Sequence, residues 1–149
     1  LKTQVYTDIH QNIGPLGGIH SALTHAETDE VYILSCDLPF ITMDFIRFLS
    51  QYPFRKPILL PQTSGVIQPL CGIYNKSCLD IISEMIGPVP LTENPDKPKQ
   101  WKYSPLILIE KADALLIDVE KEYSQYDEKI FYNINHPTDF EKIQKATHS

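Results

Sequence analysis

Hydrophobic residues in this chain occur in two patterns, short unbroken runs and longer stretches in which they recur every three or four positions. The run at residues 31–34 is unbroken and rich in β-forming residues, which is typical of a strand buried on both faces. Pro39 forces an extended conformation on Leu38 and ends this strand. Further strands are predicted at residues 4–7, 57–61, 66–74, 115–119 and 131–135.

The spaced hydrophobic stretches predict helices between these strands. One helix begins near Pro15 or Leu16, because proline is tolerated at the first helical position, and a second follows the N-cap residue Thr42. The other predicted helices span residues 76–86, 106–114 and 138–146, with a proline-rich exposed loop at 88–100 and a charged connection at 120–129. Alternation of apolar strands and helices indicates a three-layer α/β/α fold with a mostly parallel sheet, formed as a single domain by residues 1–149.

Composition narrows the functional classes. Thirteen basic and nineteen acidic residues give a net charge of −6, which argues against general binding to nucleic acid or to acidic membranes. No apolar run approaches membrane-spanning length. The three cysteines lack paired spacing and predict reduced thiols in a cytoplasmic protein. A small anionic ligand remains compatible with this charge, because backbone amides at loops and helix starts bind phosphate locally.

Asp37 is the first candidate for chemistry. It follows the buried run at residues 31–34 and is therefore expected at the carboxyl end of a central strand, where open α/β sheets bind their ligands. The alternative is a turn or N-cap aspartate before the helix at Thr42. The local pattern does not separate these two interpretations.

Two further segments carry candidate binding residues. A glycine-rich turn at residues 14–18 lets a ring or a phosphate approach the main chain, or else it serves close packing of the following helix. Asn133 and Asn135 alternate on the last predicted strand and so face one side, where their amides can bind a polar ligand. Alternatively, Asn135 caps the helix that follows. Zinc-ligand spacing, a Walker loop and a Gly-x-Gly-x-x-Gly motif are absent from the sequence.

These segments together resemble one enzyme family. Asp8, residues 14–19, residues 35–39, residues 68–70 with Tyr74, and residues 133–140 occur in the order found in molybdenum cofactor guanylyltransferase. That family has the nucleotide-diphospho-sugar transferase-like α/β fold. It joins the GMP part of GTP to molybdopterin phosphate and releases pyrophosphate.

The resemblance implies roles for individual residues. Asp37 would be the catalytic carboxylate that binds Mg²⁺, and Asp8, Gly14, Gly18 and Asp37 would lie against the nucleotide. Asn133 and Asn135 would lie on the pterin side of the site. GTP and molybdopterin are the implied partners. The related cytidylyltransferases differ at the glycine turn and usually carry acids at the two asparagine positions.

The chain also departs from the family pattern. The amino-terminal strand of the family and its glycine-rich, lysine-containing phosphate loop have no counterpart here, and His136 replaces a usual threonine. We therefore expect the chain to be the carboxyl-terminal three-quarters of an enzyme and to be inactive alone. Two other functions are compatible with the sequence: a noncatalytic adaptor domain on the same fold, and a cytidylyl- or sugar-phosphate nucleotidyltransferase.

Overall fold

One sheet with helices on both faces organises the computed structural model, which describes residues 4–87 and 103–133. Its strands are β1 (Glu30–Leu34), β2 (Ile58–Thr63), β3 (Val66–Ile67), β4 (Cys71–Asn75) and β5 (Leu115–Asp118). Its helices are α1 (Pro15–His25), α2 (Met43–Gln51), α3 (Cys78–Ile86), α4 (Pro105–Lys111), the single turn α5 (Val119–Glu122) and a 3-10 helix, Glu128–Phe131.

The strand pairing is mixed. β4 pairs antiparallel with β1, where Leu34 lies opposite Cys71, and antiparallel with β2, where Ile58 lies opposite Tyr74. β2 also pairs antiparallel with β3 and parallel with β5. Because β4 runs against both of its neighbours, β1, β2 and β5 all point the same way. The predicted α/β class is confirmed, and the main strands are parallel in direction, although an antiparallel β4 separates β1 from β2.

Successive side chains of a strand point to opposite faces of the sheet, and they pack into two hydrophobic cores, one on each face. Leu60 of β2 points into the first core and Leu59 into the second. The first core contains fully buried residues of α1, α3 and α4, namely Leu16, Leu23, Ile82 and Leu108. The second core contains residues of α2, β4, β5, α5 and the 3-10 helix, namely Phe45, Leu49, Ile73, Ile117, Val119 and Ile130. The helices thus form two layers around the sheet, as the three-layer prediction requires.

Helices α1 to α4 begin close to the residues that the sequence predicted. α1 begins at Pro15, and the hydroxyl oxygen of Thr42 accepts a hydrogen bond of 3.2 Å from the N–H of Phe45 at the start of α2. α3 and α4 also lie where they were predicted, within two or three residues. None of the helices in the described ranges is long and apolar enough to cross a membrane.

Three predicted strands are wrong in whole or in part. Residues 4–7 form no strand, because no described strand pairs with them, and Val5 is 90% exposed. The strand predicted at 66–74 is split into β3 and β4, since Pro69 lies in a turn between them. The strand predicted at 131–135 is replaced at its start by the 3-10 helix that ends at Phe131. Residues 88–100 and 138–146, predicted as a loop and a helix, lie outside the described residues.

β1 differs from its prediction in position and burial. Within the described part of the chain it pairs with β4 alone, so it is an edge strand and not a central one. Its middle residues are half-buried, and Leu34 is 43% exposed. The unbroken apolar run therefore identified the strand correctly but overestimated its burial.

Candidate functional site

A cavity of about 310 Å³ opens where β1 ends, beside the start of α4. Asp37 is the one charged residue among the described residues that line it. The remaining lining residues are uncharged polar or apolar, and they come from five separate parts of the chain: Pro15, Ser35, Leu38, Gln68, Pro69, Leu70, Ser104, Pro105, Leu106 and Asn133.

The main chain fixes Asp37 from both sides. The N–H of Ser35 donates to the carbonyl of Leu70 at 2.8 Å, which holds the end of β1. Leu38 is buried in the second core, and burial of a leucine side chain stabilises by roughly 1.5–3 kcal/mol. The half-buried carboxylate of Asp37 accepts no hydrogen bond from residues 4–87 or 103–133, and Thr42 caps α2 in its place. Asp37 is therefore not the N-cap of α2, although it does lie in a turn, as the alternative interpretation allowed.

The turn at residues 68–70, the Gln68 turn, forms the opposite wall. The N–H of Gln68 donates to the carbonyl of Pro61 at 3.0 Å, and the hydroxyl of Tyr74 donates to the carbonyl of Pro69 at 2.6 Å. Together with the bond to Leu70 from Ser35, each of the three turn residues is held by at least one hydrogen bond. The turn is consequently well fixed relative to both β1 and β2.

The third wall comes from the start of α4 and from Asn133. The hydroxyl oxygen of Ser104 accepts a hydrogen bond of 3.3 Å from the N–H of Leu106, which caps the helix. Asn133 follows the 3-10 helix and is exposed at the rim. Asn133 thus lines the same cavity as Asp37.

The glycine turn lies next to this cavity. Gly14 has a φ of 65°, a conformation that favours glycine, and nothing lies within 4 Å of where its side chain would be. At Gly17 a Cβ would approach the carbonyl oxygen of His10 to 2.6 Å and a carboxylate oxygen of Asp8 to 3.4 Å. The absence of a side chain at Gly17 is what lets the Asp8 segment lie against α1.

A second, apolar cavity of about 400 Å³ runs along β1 and α1 and includes Gly18. It shares Pro15, Ser35 and Leu70 with the Asp37 cavity, so the two cavities adjoin. Gly18 and Asp37 therefore line neighbouring cavities.

The predicted site residues are only partly assembled. Asp37 and Asn133 line one cavity, and Gly18 lines the adjoining one. Asp8 and Gly14 line neither cavity, although Asp8 lies beside Gly17 and Gly18. Asn135 lies outside the described residues.

Other residues of the site carried weak signals in the sequence. Ser104 followed by Pro105 is a helix-start signal, which predicts α4 but gives no reason to place it at a cavity. Gln68 belonged to the family resemblance but had no assigned role, because its proximity to Asp37 depends on the pairing of distant strands.

Comparison with known proteins identifies the family of this chain. The sequence profile of the family described as "MobA-like NTP transferase domain" matches residues 1–93. Two relatives named "Probable molybdenum cofactor guanylyltransferase" come from Clostridium perfringens and Carboxydothermus hydrogenoformans. The first is 35% identical over 142 residues, covering 95% of this chain and 67% of the relative. The second is 32% identical over 145 residues, covering 97% and 68%.

A solved structure agrees at the level of the fold. The crystal structure of molybdopterin-guanine dinucleotide biosynthesis protein A from Archaeoglobus fulgidus superposes with a TM-score of 0.69 at 23% identity, covering 95% of this chain and 66% of that one. The chain belongs to the MobA-like NTP transferase family and, within it, is related to the molybdenum cofactor guanylyltransferases. It spans about two thirds of the length of the relatives it matches.

Proposed function

We propose that this chain transfers GMP from GTP to the phosphate of molybdopterin, which gives molybdopterin guanine dinucleotide and pyrophosphate. Membership of the family and the names of its relatives support this reaction. The observation that carries the proposal is the meeting of Asp37 and Asn133, which are distant in sequence, in one cavity. We infer that this one cavity receives parts of both the nucleotide and the pterin.

Asp37 suits the Mg²⁺ that the family implies. Its carboxylate is half-buried and has no hydrogen-bonding partner within the described ranges. In that part of the chain, no group of three or more His, Cys, Asp or Glu side chains is placed to hold a metal. A single carboxylate fits Mg²⁺, which is commonly held by one or two carboxylates together with substrate phosphates and water. When bound, the ion supplies positive charge that offsets the repulsion between two phosphate anions.

The protein residues position the two substrates for in-line displacement. An oxygen of the molybdopterin phosphate forms a bond to the α-phosphorus of GTP, while the bond from that phosphorus to the bridging oxygen breaks and pyrophosphate leaves. We assign Asp8, Gly14 and Gly18 to the nucleotide, since Asp8 lies beside the glycine turn and Gly14 is open to a ligand. Asn133 is assigned to the pterin, and Asn135 shares this role by resemblance. The site acts by orientation and charge, with no covalent intermediate on the protein.

We also propose a cytoplasmic location, supported by three free cysteines. The acidic net charge supports a small-molecule partner in preference to nucleic acid.

The test uses the complete gene product with Mg²⁺, purified molybdopterin and GTP labelled at the α-phosphate. We expect labelled molybdopterin guanine dinucleotide, and little product when CTP replaces GTP or a sugar phosphate replaces molybdopterin. Transfer to a sugar phosphate, or from CTP, would instead identify another transferase on this fold. Absence of turnover with every combination would support a noncatalytic adaptor.

Asp37→Asn keeps the shape of the side chain and removes its charge. We expect turnover to fall at least about 100-fold with little change in stability, because the carboxylate is needed for charge compensation. Asp44→Asn is the matched control, since Asp44 is an exposed aspartate of α2 that pairs with Arg47 away from the cavity. Near-normal turnover in Asp37→Asn would remove Asp37 from the site.

A further inference from the structure

Gln68 lines the cavity, and the surrounding protein does not use its side-chain amide. Its main-chain N–H donates to Pro61 and its main-chain carbonyl accepts from Cys71 at 3.2 Å. Its half-buried side chain makes no hydrogen bond to the residues that the structure describes. The local structure is therefore complete without this amide, which offers a ligand one acceptor oxygen and two donor hydrogens.

Tyr74 fixes the turn that carries this amide. Its ring is fully buried in the sheet, where it pairs with Val31 of β1 and Ile58 of β2. Burial raises the pKa of its hydroxyl above the usual value, so the group stays protonated and donates to the carbonyl of Pro69. A buried polar group at this position is tolerated because it has this one partner.

Gln68 faces the same space as the two residues assigned to the substrates. Asp37 and Asn133 line the cavity with it, and no cationic side chain does so among the described lining residues. Apart from Asp37, the described lining residues are uncharged, and several of them, such as Pro69, Leu70 and Leu106, are apolar. A neutral amide in such a lining suits the edge of an uncharged heteroaromatic ring better than it suits a phosphate.

We propose that the side-chain amide of Gln68 binds the aminopyrimidinone edge of a substrate ring, and that Tyr74 is the positioning residue that holds it there. This proposal rests on the proposed function, because guanine and the pterin both present this edge. The edge has a ring carbonyl that accepts a hydrogen bond beside N–H groups that donate. An amide, which carries one carbonyl and one NH₂ group, is complementary to such an edge.

Gln68→Leu in the complete gene product tests the binding role. Leucine removes the amide but retains side-chain bulk and both main-chain hydrogen bonds of the turn. We expect the KM of one substrate to rise about 3- to 10-fold with kcat nearly unchanged, the effect of losing one or two neutral hydrogen bonds. A rise in KM for GTP assigns Gln68 to guanine, and a rise for molybdopterin assigns it to the pterin. Gln62→Leu is the control, because Gln62 is a half-buried glutamine of β2 outside the cavity.

Tyr74→Phe tests the positioning role. It keeps the buried ring and removes the hydrogen bond to Pro69, so we expect the same KM to rise about 3-fold. If Tyr74 acts through Gln68, this effect disappears when the substitution is made in the Gln68→Leu background. Tyr126→Phe is the control, since the hydroxyl of Tyr126 is in a hydrogen bond of 2.8 Å with Thr63 away from the cavity.

The outcomes separate this proposal from the function on which it rests. If the wild-type protein transfers no GMP to molybdopterin, the proposed function is refuted, and so is the role of Gln68 that depends on it. If the wild-type protein is active and Gln68→Leu has wild-type KM values for both substrates, the Gln68 assignment alone is refuted. If Tyr74→Phe is equally damaging with and without Gln68, the positioning role of Tyr74 is refuted.

Discussion

Gly17 is one of the points where α1 contacts the segment that carries Asp8, and Gly17→Ala perturbs that contact. A Cβ at Gly17 would lie 2.6 Å from the carbonyl oxygen of His10 and 3.0 Å from a side-chain carbon of Ile13. Ordinary van der Waals contacts of a Cβ begin near 3.4 Å. The carbonyl oxygen of His10 must therefore move from 2.6 Å to 3.4 Å, a displacement of about 0.8 Å. The substitution should therefore push the Asp8 segment away from the helix.

Gly18→Ala supplies the matched comparison. A Cβ at Gly18 meets only a carboxylate oxygen of Asp8, at 4.0 Å, which is ordinary contact. Both substitutions gain up to about 1 kcal/mol from the higher helix propensity of alanine. Gly17→Ala alone carries the overpacking cost, typically about 1–3 kcal/mol. The difference between the two free energies of unfolding should accordingly be about 1–3 kcal/mol in favour of Gly18→Ala.

Urea unfolding of both variants measures this difference, and hydrogen exchange locates it. The N–H of Ile9 donates to the hydroxyl oxygen of Ser21 on α1 at 2.8 Å, so this amide reports whether the segment stays in place. We expect faster exchange at Ile9 in Gly17→Ala and no change in Gly18→Ala. Equal stability of the two variants, together with unchanged exchange at Ile9, would refute the steric argument.

Two further predictions concern titratable side chains. Burial lowers the pKa of His20, and the neighbouring His10 lowers it further, so near pH 6.5 the unfolded chain binds more protons than the folded chain. The free energy of unfolding should therefore decrease as the pH falls below about 6.5. In urea titrations, His20→Gln should reduce the dependence of this free energy on pH. An unchanged pH dependence would contradict the role given to His20. Cys36 is exposed, whereas burial raises the pKa of Cys71 and of Cys78 to about 11. A thiol reagent such as DTNB should then modify one cysteine rapidly in the native protein and three after denaturation. Rapid modification of a second thiol in the native protein would be inconsistent with the burial of Cys71 and Cys78.

Much of the fold was readable from local signals, because those signals act over a few residues. Thr42 caps α2 and Pro15 begins α1 whatever the distant chain does. Residues 4–7 had an equally good local pattern but form no strand, since a strand needs a partner that the pattern does not supply. At the other end, the side chain of Asp127 accepts a hydrogen bond from the N–H of Lys129 and favours the 3-10 helix over the predicted strand.

The candidate site was less predictable, because its residues meet through the pairing of distant strands. The sequence placed Asp37 after a strand but left its role open between a cap and a ligand. In the structure, Thr42 caps α2, and Asp37 lines the cavity. Gln68 enters the same space only because Pro69 interrupts the strand and Ser35 binds the carbonyl of Leu70. None of these relations follows from spacing along the chain.

The Asp37 cavity lies along the seam between the two cores. Leu38 in its wall belongs to the second core, while Leu70 in the same wall packs against the first. A ligand held between them stabilises the folded state by about 2.7 kcal/mol when it is present at a hundredfold excess over its Kd. Since the ligand touches both walls, it acts as a removable cross-link between the two helical layers. Filling the cavity should therefore raise the free energy needed to separate the helical layers on opposite faces of the sheet.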